Sequence, residues 1–383
     1  MARMLIAFLV VAFAHAAVAA TSVGVSELEK IVAHAQYKAD ARAAQELSEL
    51  QLIERLSGER LARLNAILPG DRSKLALQAL ADAALFLDLP ASDVPADSPP
   101  DPAAQQAFLA RTADYLQKTM PRLPDFFATQ LTLQFIDGPA KESSSSAGKP
   151  WDTRLHLVSQ SSATVRFLAG KEELTPAHRE SRASSPSDRR LAVEGVFGPI
   201  LAIALGDVLA SKPAWSHWEN GSSGAIAVFN YTVPEEKSHY SVPLPGGIGP
   251  SASTRAYHGD IAVDPASGAI MRLTMQAVIK AGSPIAGADI MVEYGPVKIA
   301  TETWTCPLRS VALASVRNLD LMHDLYQFSQ MGPAQFQMKI NDVSYTDYHL
   351  FRTQMRLLPE DGAVDAPGPQ TVLPVSPPRN PQP

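Results

Sequence analysis

The stretch AYHGDIAVDPASGAIMRLTMQAV, residues 256 to 278, decides the fold. In a strand, alternate side chains share a face. Tyr257, Ile261 and Val263 therefore fall on one side, and His258, Asp260 and Asp264 on the other. On the return, Met271, Leu273 and Met275 are apolar while Arg272, Thr274 and Gln276 are polar. Between them DPASG supplies a turn: Asp264 opens it, Pro265 has a fixed φ, and Gly268 provides a positive one. The two apolar sets meet only if odd residues lie opposite odd residues. That requires a loop of three or five residues, or a bulge that corrects the parity. Asp260 then sits near Arg272 or Thr274 on a solvated face. His258 and Asp260 do not make a metal site by themselves, because such sites need three or four convergent ligands. The stretch reads as a hairpin with an apolar inner face and a polar outer one.

The period of two extends outward from this hairpin. TQLTLQF alternates from Phe126 onward, and RLHLVSQSSATVRFLAG reads as a pair of strands about a polar turn. AWSHWENGSSGAIAVFNYTV, SHYSVPL, GADIMVEYGPVKI, TWTCPLRSVALASV and SYTDYHLFRTQMRLL follow as further strands. Strands in series with tight turns predict an antiparallel meander over residues 123–359. Within it FGPILAIALGDVL, residues 197–209, is apolar almost all round. A helix of that kind must be covered on several sides, so a curved sheet wrapping it is the expected arrangement.

Before the sheet the period is helical. Leu28, Ile31, Val32, Ala35 and Ala39, then Leu47, Leu50, Ile53 and Leu56, fall at spacings of three and four, predicting one long helix with Ser26 and Glu29 as a capping box. A second helix stops at Pro69–Gly70, and a third starts with Asp71 as its N-cap. The helical region spans 21–88. Residues 89–102 form a stiff Pro-rich linker, a helix spans 103–122, and 360–383 is a disordered Pro-rich tail. AKESSSSAGKP and TPAHRESRASSPSDRR are polar loops, the second carrying Arg179, Arg182, Arg189 and Arg190.

The first residues bear on location. Arg3, an apolar run from Met4 to Phe13 and small residues at Ala17–Ala20 make a secretory signal, so residues 1–20 are expected to be removed. The run is too short to span roughly 30 Å of hydrocarbon, and no later stretch offers about 20 apolar residues. The mature protein is thus expected to be exported, periplasmic or extracellular, and not membrane-spanning.

The chain has 383 residues and a net charge of −6, which disfavours nucleic acid as a partner. Cys306 is the sole cysteine, so neither an internal disulfide nor a cysteine metal site can form. It reads as a buried structural thiol. No G-x-S-x-G elbow, phosphate loop, H-E-x-x-H or dinucleotide fingerprint is present. Trp215, His217 and Trp218 of WSHWENG are candidates for a pocket lip, with His217 and His239 a candidate pair on neighbouring strands. Glu219 lacks the second carboxylate that glycoside hydrolysis needs. No catalytic residue, metal or cofactor is assigned.

Several stretches carry a family resemblance. LPDFFATQLTLQF, FGPIL, WSHWENG, AVFNYTV, YHGDIAVDPASGAIMRLT, MVEYGPVKI, TCPLRSVAL and YHLFRTQMRLL resemble a group of secreted bacterial proteins, including acidobacterial ones. The D-P-x-[ST]-G hairpin and the strands after it are similar to the lipoprotein-carrier (LolA-like) half-barrel group. That resemblance implies a periplasmic curved sheet around a helix, holding acyl chains or serving as a structural module.

The expectation is an α+β protein: an N-terminal helical region, then a half-barrel-like antiparallel sheet packed on an apolar helix. Its function is expected to be non-enzymatic. An apolar or lipid-like ligand, or an envelope partner, would occupy the concavity, lined by Leu201, Leu205, Met271, Leu273, Met275 and Met291. The alternatives are a scaffold that uses the N-terminal helices, or a hydrolase centred on His217, Trp218 and Glu219.

Overall fold

The computed structural model describes residues 20–137, 154–176, 199–222, 224–243, 252–317 and 336–351. The signal segment, the arginine-bearing polar loop and the Pro-rich tail lie outside the described residues. The fold is α+β, built on an open ten-stranded antiparallel sheet with helices packed on it.

The N-terminal region contains β1 (Thr21–Val23), α1 (Val25–Ala35), α2 (Asp40–Ser48), β2 (Leu50–Leu52), α3 (Gly58–Ile67) and α4 (Asp71–Ala83). The single long helix expected here is thus two helices and a strand. A straight helix of that length would spread its apolar stripe over roughly 45 Å and leave most of it without a partner. Folding back instead gathers Leu28, Val32, Ala43, Leu47, Leu52 and Leu56 into one core, with β1 and β2 paired in parallel across its edge. The caps differ too. Gly24, not Ser26, precedes α1, and Glu29 pairs with Arg60 and Arg63. Gly70, not Asp71, precedes α4. Asp40 reaches from α2 to accept the Arg72 and Ser73 backbone N–H groups at 3.1 and 2.9 Å, which serves the same orphan donors.

The Pro-rich stretch is a strap, not a free linker. The Ser98 carbonyl accepts a hydrogen bond from Trp218 Nε1 at 3.1 Å. Helix α5 (Pro102–Thr119) follows.

The sheet strands are β3 (Phe126–Ile136), β4 (His156–Leu168), β5 (Lys171–Pro176), β6 (Ala214–Gly221), β7 (Gly224–Val233), β10 (Tyr257–Val263), β11 (Ile270–Ala277), β12 (Ile285–Ile299), β13 (Glu302–Arg317) and β14 (Phe336–Leu350). A separate short pair joins β8 (Ser241–Pro243) to β9 (Ala252–Thr254). RLHLVSQSSATVRFLAG is one strand, not two. Its serines sit in the ladder of β4, where Ser159, Ser161 and Ser162 pair with β3. The order is β5-β4-β3-β14-β13-β12-β11-β10-β7-β6. It is therefore a meander from β10 to β14, flanked by two units that join it side on.

In the hairpin β10–β11, Ile261 lies opposite Leu273 and Val263 opposite Ile270, with a register shift between these pairs. Met271 is the extra residue. The bulge corrects the parity of a six-residue connection, Asp264 to Ala269. Gly268 has φ +80°, and a Cβ there would lie 2.6 Å from the Arg111 backbone, so this turn docks closely on α5.

Helices cover both faces of the sheet. On the inner face, α5 and the segment after Pro199 pack on Phe126, Phe229, Tyr257, Ile261, Leu273 and Met275. On the outer face, α4 packs through Leu75 and Ala79 on Phe135, Met291, Val311 and Ile340. Asp82 of α4 is fully buried there, and its carboxylate accepts from Arg309 of β13, which also donates to Asp342 at 2.8 Å.

Burial, with the Asp342 charge beside it, pushes the Asp82 carboxyl up to about 8, against the pull of Arg309. An unfolded Asp titrates near 4, at about 3.9. As pH rises from there towards about 8, the unfolded chain gives up this proton first, so the contribution of Asp82 to stability falls; above that it is level. Denaturant midpoints compared across this range should therefore decline less for Asp82→Asn than for the parent chain. Parallel curves would refute the assignment.

Candidate functional site

The sheet offers two candidate sites: the apolar inner face that the sequence predicts as a ligand site, and a polar cleft on the outer face.

The inner face is filled. Leu273 and Met275 are buried in its core, and Leu201 packs against them from the covering segment. Met271, the bulge residue, is only half-buried. Met291 points the other way, into the layer under α4, because it shares a face with Glu293 and not with Val292. The Leu205 side chain is outside the described residues. The predicted lining therefore divides between two faces of the sheet. Beside Leu116, Leu201, Ile270 and Tyr294 remains a void of about 20 Å³, room for about one water.

The covering segment is not the regular helix expected over 197–209. It is α6 (Pro199–Ile203), then a π turn (Ala204–Val208), then a 3₁₀ turn (Leu209–Ser211). The break holds Asp207, whose carboxylate is buried. It accepts the His239 backbone N–H at 2.8 Å, the His239 ring Nδ1 at 2.5 Å and the Tyr257 hydroxyl at 3.0 Å. Asp207 thus latches the covering segment to β10 and to the loop before β8. His239 pairs with Asp207, and not with His217 as the sequence suggested. Asp207 went unassigned because a lone acid in an apolar run gives no sign of its distant partners.

Trp215, His217 and Trp218 do not form one lip. A register shift between Trp215 and His217 makes Ser216 an extra residue, so Trp215 and Trp218 lie on the inner side. Their ring centroids are 4.8 Å apart, and Trp218 also meets Phe108 of α5 at 6.2 Å. They close the open edge of the core. His217 faces the outer cleft.

Glu219 anchors that outer side. Arg272 donates to both its oxygens at 2.7 and 2.9 Å, Arg55 donates from the N-terminal region, and His217 Nε2 lies 3.1 Å away. Burial by itself would raise this carboxyl, but His217 and the two guanidiniums hold it well below the usual carboxylate range. A carboxylate so engaged is not available as a general acid, and Trp218 lies on the opposite side of the strand from His217 and Glu219.

Beside this network is a cleft of about 290 Å³, between the segment Leu85–Leu89 after α4 and the outer surface of β7, β10 and β11. His258, Asp260, Asn230 and Gln276 line it, so the polar side of the opening hairpin is not simply solvated. The floor is irregular. The β10–β11 pairing is interrupted at Gly259 and Asp260, where the Asp260 N–H donates to Thr274 Oγ1 at 2.7 Å and the Tyr231 hydroxyl donates to the Thr274 carbonyl at 2.5 Å. Asp260 also accepts from Asn230 Nδ2 at 2.5 Å. Among the described residues no cluster of three or more His, Cys, Asp or Glu side chains could hold a metal ion. Cys306 is buried, and burial pushes its thiol up to about 12, as befits an inert core residue.

No family model and no curated protein matches the chain, so the resemblance to secreted acidobacterial proteins rests on sequence motifs alone. Among solved structures, a LolA-superfamily protein from Nitrosomonas europaea is similar in outline, at 12% identity and a TM-score of 0.25. The match covers 65% of this chain and 94% of that one. Among the described residues no helix is long and apolar enough to cross a membrane.

Removing the Glu219 charge would strand two buried guanidiniums. Glu219→Gln should therefore cost about 3–5 kcal/mol of unfolding free energy, read from denaturant midpoints. A loss under about 1 kcal/mol would mean that the network is no stronger than a surface pair.

Proposed function

We propose that the protein is an exported, non-enzymatic binding protein of the envelope that takes an apolar, lipid-like ligand on the inner face of its sheet, with the segment 199–211 as a displaceable plug. The observation that carries this reading is the way that face is covered. Its apolar floor is broad, with Phe126, Phe229, Tyr257, Leu273, Met275 and Val292 in one cluster. Part of its cover is a segment that changes helical pitch twice within 13 residues, from Pro199 to Ser211.

Such a segment has weak intrinsic helicity. Five α-helical residues cannot sustain a helix on their own, and its place depends on packing and on the Asp207 latch. An acyl chain could take over the same apolar contacts at little net cost in buried area. The balance between plug and ligand then turns on the latch, because the plug can leave only by giving up the hydrogen bonds that Asp207 accepts from His239 and Tyr257. The export signal and the half-barrel resemblance support the same reading.

A titration of the delipidated protein with a naturally fluorescent fatty acid tests it. Saturable uptake is expected, and Asp207→Ala should tighten it by roughly tenfold, because a loosened plug costs less to displace, about 1.4 kcal/mol less. Absence of uptake by both the parent chain and the variant would sink the proposal.

A further inference from the structure

The outer cleft lies on the opposite side of the sheet from the apolar face, and its chemistry is different. We propose that it is a binding site for a neutral, hydroxyl-rich ligand about the size of one sugar ring, held through Asp260, Gln276 and His258 against the segment Leu85–Leu89.

Charge comes first. Arg272 gives both of its terminal amines to Glu219, whereas Arg55 gives it one and has an Nε without a partner. The charged side chains on the wall are Arg55, Asp88 and Asp260. A phosphate or carboxylate ligand would face two carboxylates against one guanidinium, itself ion-paired with Glu219. A cation fares little better. Asp260 already accepts from Asn230, and among the described residues no set of acids converges as a cation site requires.

The uncommitted groups are mainly neutral. The Gln276 amide and both His258 ring nitrogens make no hydrogen bond to a described residue, and Asp260 keeps Oδ2 open. Together they offer acceptors and donors side by side. A hydroxyl uses both at once, whereas an ion uses only one kind. Leu85, Phe86, Leu87 and Leu89 line the opposite wall, Leu85 and Phe86 also packing in the core under α4, and the lining as a whole is mostly polar, as a hydroxyl-rich ligand requires. The volume, about 290 Å³, is at the lower end for small-molecule sites, roughly 300–1,000 Å³, and suits one ring and not a chain.

The floor adds a structural reason. The β10–β11 ladder lacks its pairs at Gly259 and Asp260, although the backbones stay close: a Cβ on Gly259 would lie 2.0 Å from the Thr274 carbonyl oxygen. Thr274 Oγ1 accepts the Asp260 N–H, and the Tyr231 hydroxyl donates to the Thr274 carbonyl. Interrupted pairing of this sort is found where a strand re-aims side chains beside a site.

The test is saturation-transfer NMR with isothermal titration on the mature chain. The probes are glucose, galactose and N-acetylglucosamine, with inorganic phosphate and putrescine as charged comparators. At least one sugar should bind in the millimolar range, roughly 1 mM, and at least about tenfold more weakly to Gln276→Ala and to Asp260→Asn. Circular dichroism of both variants checks that they fold. Three results would each overturn the proposal: no sugar bound, equal affinity in both folded variants, or phosphate or putrescine bound more tightly than any sugar. Because the apolar face lies on the other side of the sheet, either site can fail without touching the other.

Discussion

Glu219 is the residue on which the arrangement of the chain depends. It is a buried carboxylate on an edge strand, held by one arginine from the sheet and one from the helical region. Arg272 can reach it because the residues it must cross, Ala262 of β10 and Val228 of β7, are short. On the other side Arg272 stands opposite Glu293, and Glu293 opposite Arg309, which binds Asp82 of α4. A row of alternating charge, Glu219, Arg272, Glu293 and Arg309, therefore crosses the outer face, and the helical region meets it at both ends, through Arg55 and through the Asp82 carboxyl. Buried ion pairs contribute little net stability but are costly to break singly. Their effect here is on placement: the helical region can dock in one register, since any other would leave charges buried without partners.

That docking explains why the outer face of an antiparallel sheet, which often faces water, is buried in this molecule. Met291, Val311, Leu313 and Ile340 alternate with the charged row and make an apolar surface that α4 covers. The cleft at Leu85–Leu89 is where α4 ends and the chain turns away, so the cover is incomplete and polar groups of β7, β10 and β11 stay accessible. The inner face presents the converse. Its floor is apolar throughout, and its weak point lies in the cover, where one buried carboxylate interrupts an otherwise apolar segment.

Much of the sheet was legible because alternation reports on burial directly. The hairpin at 257–277 shows how far this reaches. Its apolar set, its turn residues and the need for an odd loop or a bulge all follow from a period of two and the requirement that like faces meet. The position of the bulge at Met271 does not follow, since any residue near the turn satisfies the same parity. The long helix was misread for a related reason. Spacings of three and four persist across Lys38–Asp40, but periodicity does not reveal where a chain must fold back to give its apolar stripe a partner.

The sequence by itself determined the α+β class, the strand faces and the burial of Leu273, Met275 and Cys306, because each is a property of local pattern. Only the tertiary structure decided what those faces meet. Met291 and Met275 are both apolar strand residues, yet they lie in different layers. Glu219 and Asp207 are single acids in the sequence, and their partners arrive from 164 and 50 residues away. A charge's role depends on which opposite charge is brought within a few ångströms of it. That distance is set by the fold as a whole and leaves no mark on neighbouring residues.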